Sequence, residues 1–101
     1  MAAELTSKQR AHLRALAHDL PAVLQVGKEG VTDAVVGAVE EALANRELLK
    51  VKVLEAAPGA ARDTADALAS EIDGAHVVQV IGRTVVLYRT HPEEPEIALP
   101  R

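Results

Sequence analysis

The spacing of apolar positions changes several times along this chain, and each change marks an element. From Leu5 to Leu20 the residues Leu13, Leu16, Ala17 and Leu20 recur at helical spacing, which predicts a helix with one apolar stripe. Thr6 followed by Gln9 has the form of a capping box. Lys8, Arg10 and Arg14 fall largely off the stripe, and Pro21 closes the helix. Ala22 to Val26 is a short apolar run that reads as a strand. The loop Gly27-Lys28-Glu29-Gly30 follows, with two glycines that permit a sharp turn and close backbone approach. Thr32 is then placed to cap a second helix, with Asp33 in its first turn, where the helix dipole favours an acid. Val31 and Val36 suit a hydrophobic staple. Val35, Val39 and Leu43 form its apolar line, and Gly37 is expected to allow a close approach to a sheet.

Leu48 to Leu54 alternates at period two. Leu49, Val51 and Val53 fall on one face and Lys50 and Lys52 on the other, so one face, or one end of it, stays unburied. Pro58-Gly59 turns the chain into a third helix from about Ala60 to Ile72, with Ala61, Ala65, Leu68, Ala69 and Ile72 inward. Asp63, Asp66 and Glu71 lie on its outer side. Two β-rich runs, Ala75 to Ile81 and Thr84 to Arg89, are joined by Gly82-Arg83 and read as a hairpin. The order α-β-α-β-α-β-β predicts a single α/β domain with one mixed four-stranded sheet packed by helices. Its two strand–helix–strand units imply parallel pairing with right-handed crossovers, and the hairpin adds an antiparallel strand. Residues 1–91 are expected to form the domain. Residues 92–101 form a Pro/Glu-rich tail, from which Ile97 and Leu99 could dock on the core.

Composition narrows the chemistry. Apolar residues make up 49% of the 101, almost all Ala, Val, Leu and Ile; Tyr88 is the sole aromatic and there is no cysteine. This excludes a disulfide framework, thiol catalysis and Cys-based metal sites. The start of the chain has no basic and apolar leader pattern, and no run approaches membrane-spanning length, so a cytoplasmic protein is expected. The net charge of −4 argues against a simple polycation. The acidic excess, however, is concentrated in residues 55–75, where Glu55, Asp63, Asp66, Glu71 and Asp73 are set against Arg62 alone. The rest of the surface is free to present a basic patch.

Catalytic constellations do not assemble. Ser7 and Ser70 sit on or beside helices, without a nucleophile elbow. Glu40-Glu41 and Glu93-Glu94 are adjacent pairs whose side chains diverge, and His12, His18, His76 and His91 lack metal-ligand spacing. The glycine loop has two residues where a Walker loop has four, and no Gly-x-Gly-x-x-Gly occurs. No enzyme, cofactor, metal or small-molecule substrate is expected. Stacking modes of nucleic-acid binding need exposed aromatics, which are missing. A Gly-x-x-Gly clamp on a sugar-phosphate backbone needs none. Lys28 at its tip has Lys50, Lys52 and Arg83 as candidate neighbours, and Arg46, Arg10 and Arg14 as further cations.

Several motifs in order carry a resemblance. They are Leu5-Thr6, Lys8-Gln9-Arg10, Leu13-Arg14, Ala17-His18 and Leu20-Pro21; then Gln25-Val26-Gly27-Lys28, Gly30 and Thr32; then Arg46 to Lys52; and Gln79 to Arg89 with Gly82-Arg83 inside. With these, the chain resembles the YhbY-like, or CRM-domain, RNA-binding family from about Leu5 to Arg89. The resemblance implies a fold like the C-terminal domain of translation initiation factor 3. It implies binding to structured RNA, expected to be ribosomal RNA or pre-ribosomal particles, in large-subunit assembly. Plant-organelle relatives carry the domain in intron-splicing factors. By position, the family's RNA-contacting loop maps onto Gly27, Lys28, Glu29 and Gly30. The alternative is a protein-interaction domain whose acidic third helix docks a basic ribosomal or other protein.

Overall fold

The capping box closes as its residues suggest: Thr6 Oγ1 accepts the Gln9 N–H at 3.1 Å and Gln9 Oε1 accepts the Thr6 N–H at 3.0 Å. It starts α1, Ser7–Ala17, in the computed structural model, which describes residues 5–100. The reading of residues 1–4 as free of a leader lies outside the described residues. Leu13 and Ala17 of the apolar stripe are buried, and Leu20 packs at the margin. Leu16 is instead 44% exposed. It sits about 100° round the axis from Ala17, beyond what a seam of Leu13 and Ala17 covers.

The remaining elements are β1 (Ala22–Val26), α2 (Asp33–Asn45), β2 (Leu48–Val53), α3 (Ala61–Glu71), β3 (His76–Ile81) and β4 (Thr84–Tyr88). They form one sheet in the order β1-β2-β4-β3. β1 and β2 pair in parallel, as a strand–helix–strand unit requires. β2 and β3 also run in the same direction but do not pair, because β4 lies between them, antiparallel to both. The physical reason lies in β4 itself. Val85, Val86, Leu87 and Tyr88 are buried in succession, and such a run needs cover on both faces. The β3–β4 turn has Gly82 at φ 57° as its first central residue and no positive φ at Arg83, the pattern of a type II′ hairpin.

Two cores result, one on each face. Val26, Val51, Val53, Val85 and Leu87 meet α2 and α3 residues such as Val39, Leu43, Ala65 and Leu68 on one face. Leu48, Val78, Val86 and Tyr88 meet Leu13 and Ala17 of α1 on the other, where Ile97 and Leu99 of the C-terminal segment also pack. Gly37 does not mediate a close approach: it is exposed, and a Cβ built there meets nothing within 4 Å.

Glu47 anchors the C-terminal segment. It is 4% exposed, and its carboxylate accepts the N–H groups of His91 (2.7 Å), Glu96 (2.6 Å) and Ile97 (2.7 Å). Burial raises its affinity for a proton. The three backbone donors and the nearby His91 ring outweigh that, and its pKa lies below the ordinary 4.5.

Candidate functional site

The glycine loop is a tight turn. The Gly30 N–H donates to the Gly27 carbonyl at 2.9 Å, which leaves Lys28 and Glu29, both exposed, at its two corners. The two glycines are not equivalent. Gly30 has φ 70° and is buried, and a Cβ on it would stand 3.1 Å from Pro58 Cγ. Gly27 has an ordinary φ, and its Cβ would make a normal contact with Leu54 at 3.9 Å. Beyond the loop, Thr32 Oγ1 accepts the Val35 N–H at 3.2 Å and begins α2, with Asp33 exposed in the first turn. That acid occupies the positive end of the helix dipole, so an anion is better placed at the loop tip and Lys28.

Three segments meet at this end of the sheet. The Leu54 N–H donates to Val26 O at 2.9 Å, tying β1 to the end of β2. The Val53 N–H donates to Arg83 O at 2.7 Å. The Arg83 side chain answers, with Nε to Val53 O at 3.0 Å and Nη2 to Leu54 O at 2.6 Å. Arg83 is thus first a brace at this end of the sheet, and it is half-buried.

Register sets the lysines. Gln25, Lys52, Thr84 and Ile81 lie in one row across the four strands, on the α1 face. Helix α1 does not cover this row: Gln25, Lys52 and Ile81 are exposed. One row lower, Lys50 is half-buried and its Nζ donates to the His18 carbonyl at 3.2 Å, at the end of α1. Arg14 lines the same pocket as Lys50 and is exposed. Lys52, Lys50 and Arg14 therefore share the α1 face, and Lys28 stands in the loop that follows β1. Asp63, Asp66 and Glu71 sit on α3, in the opposite layer.

Two predicted cations stand apart. Arg10 is half-buried and its Nη1 donates to Val77 O at the β3 bulge, which holds α1 on the sheet. Arg46 is the C-cap of α2, at the opposite end of β2 from Lys52, and lines pockets with Glu41, Glu94 and Glu96. Gln79 and His18, quoted in the family motifs but not among the candidate site residues, line the pocket beside Arg14 and Lys50. The register of β3 and the end of α1 bring them together, which spacing along the chain does not show. Among the described residues no group of three or more His, Cys, Asp or Glu could hold a metal ion, and no helix is long and apolar enough to cross a membrane.

The CRS1 / YhbY (CRM) domain model matches residues 5–89. The Probable RNA-binding protein YqeI of Bacillus subtilis is 44% identical over 96 residues, covering 95% of this chain and 99% of that protein. An RNA-binding protein of Haemophilus influenzae is 42% identical over 100 residues, covering 96% of each. The solution structure of the hypothetical protein SAV1595 from Staphylococcus aureus superposes with a TM-score of 0.80 at 40% identity, covering 96% of this chain and all of that one.

Proposed function

This chain belongs to the CRS1 / YhbY (CRM) domain family, and on that premise we propose that it is a non-enzymatic RNA-binding protein of the cytoplasm. Its ligand in this reading is structured ribosomal or pre-ribosomal RNA, and its role is to assist assembly of the large ribosomal subunit. The observation that carries the reading is the grouping of cations. Lys28 stands at the exposed tip of the Gly27–Gly30 turn that ends β1, and Lys52, level with Gln25 of β1, shares the α1 face with Lys50 and Arg14. Glu29 and Asp33 stand close to Lys28 in the chain, whereas Asp63, Asp66 and Glu71 lie in the opposite α3 layer. Backbone contacts at such a patch are sequence-tolerant and salt-dependent.

Crosslinking in cells, followed by sequencing of the recovered RNA, tests the reading. Wild-type protein should recover ribosomal RNA, and Lys28→Ala should recover less. Recovery of other RNAs would remove the ribosomal assignment. Recovery of no RNA above background would favour the alternative, in which the exposed Asp66 and Glu71 on α3 dock a basic protein.

A further inference from the structure

A concave pocket of about 330 Å³ opens between the end of α1 and the sheet, lined by Arg14, Ala17, His18, Lys50, Gln79 and Ile81 among others. No carboxylate lines it, although the chain carries fifteen. Its inner end is a poor seat for a phosphate. The Lys50 ammonium is already directed to the His18 carbonyl, and the C-terminal end of a helix is the negative end of its dipole. An uncharged group with its own donors and acceptors suits it better. Ala17 and Ile81, the latter 53% exposed, supply an apolar wall. The Gln79 carboxamide offers two donors and an acceptor. Arg14 has no partner among the described residues, so its planar guanidinium is available for stacking. Tyr88 is not available for stacking here, since it is 2% exposed within the α1 core.

We propose that this pocket receives a single unstacked nucleobase, stacked on Arg14 and read at its edge by Gln79, while the adjoining backbone runs along Lys52 to the Gly27–Gly30 turn. The inference rests on the RNA-binding reading and deepens it: the preferred RNA carries a bulged or looped-out nucleotide, not an uninterrupted duplex. Register allows the geometry. Gln25 pairs with Lys52, so Gly27 lies four residues beyond the level of Lys50, roughly 13 Å at about 3.3 Å per residue.

Fluorescence anisotropy with synthetic hairpin RNAs tests it. One hairpin is fully paired, and four others are identical except for one bulged nucleotide, each with a different base. The wild-type protein should bind at least one bulged hairpin about tenfold more tightly than the paired one. Gln79→Ala should reduce that preference and leave affinity for the paired hairpin unchanged. Ile81→Glu, at an exposed position that spares both cores, should abolish the preference by placing an acid in the pocket. Equal wild-type affinity for all five hairpins, or a preference untouched by both variants, overturns the pocket while RNA binding stands. Failure to bind any hairpin overturns the pocket and the RNA reading together.

Discussion

A side chain at Gly30 would bring its Cβ to 3.1 Å from Pro58 Cγ, so the second glycine of the loop is fixed by the turn that follows β2. With φ 70° as well, Gly30→Ala combines backbone strain with a tight contact and should cost about 1–3 kcal/mol. Gly27→Ala, which has room and an ordinary φ, should stay within about 0.5 kcal/mol of wild type. Urea unfolding midpoints of the two variants check the contrast. It also means that Gly27→Ala, and not Gly30→Ala, is the clean probe of backbone approach by a ligand.

Two surface changes should stabilise the fold. Gly37 is exposed in the middle of α2 with open space around it, so Gly37→Ala should gain about 0.5–1 kcal/mol. The N-cap of α3 is Ala60, whose side chain can accept nothing; only the reciprocal bond exists, from the Ala60 N–H to Asp63 Oδ2 at 3.2 Å. Ala60→Ser should complete the box and gain about 1 kcal/mol. Both would be read as rises in thermal midpoint.

Glu47 makes the hold on the C-terminal segment pH-dependent. Its folded pKa is depressed below 4.5, so its contribution is fully present above that value and is lost as pH falls through the folded pKa. Wild-type stability should therefore decline between pH 5 and the acid range in about the way expected for a depressed carboxylate. Glu47→Gln should be less stable by about 1–3 kcal/mol at pH 7, because an amide cannot accept at both of its ends. It should also lose part of the acid dependence, as measured by urea midpoints at pH 7 and pH 3.

Glu29 occupies the corner of the turn beside Lys28. If phosphate sits against that turn, removing the acid removes a repulsion, and Glu29→Lys should tighten RNA binding several-fold in a filter-binding assay at low salt. Unchanged affinity would put the RNA elsewhere on the surface.

Much of this was legible in the sequence because it was local. The Thr6–Gln9 box, the Thr32 cap, the alternation of Leu49, Val51 and Val53 with the lysines, and the Gly82-Arg83 turn each need only neighbours a few residues apart. What was missed was non-local. The insertion of β4 between β2 and β3 depends on cover over both of its faces. Arg10 and Arg83 are candidate RNA-contacting cations in the sequence, and the carbonyls of Val77, Val53 and Leu54 that also engage them come from across the fold. Arg46 looked close to Lys50 and Lys52 in sequence, yet strand direction carries it to the far end of β2. Glu47 gave no signal, because its three donors come from residues 44 or more positions away. The two glycines of the loop were indistinguishable until Pro58 was in place.

The salt dependence of binding reports how many phosphates the loop tip and the uncovered row of the sheet touch. Affinity for a structured ribosomal RNA fragment should be measured from low to physiological salt for wild type and for the Lys28→Ala, Lys52→Ala double variant. Removing one lysine–phosphate interaction should flatten the slope of log K against log salt by about 0.7–0.9. The wild-type slope should be steep and should fall by about 1.4–1.8 in the double variant. Identical slopes would contradict this expectation, since they would mean that neither the loop tip nor the uncovered row of the sheet touches the RNA backbone.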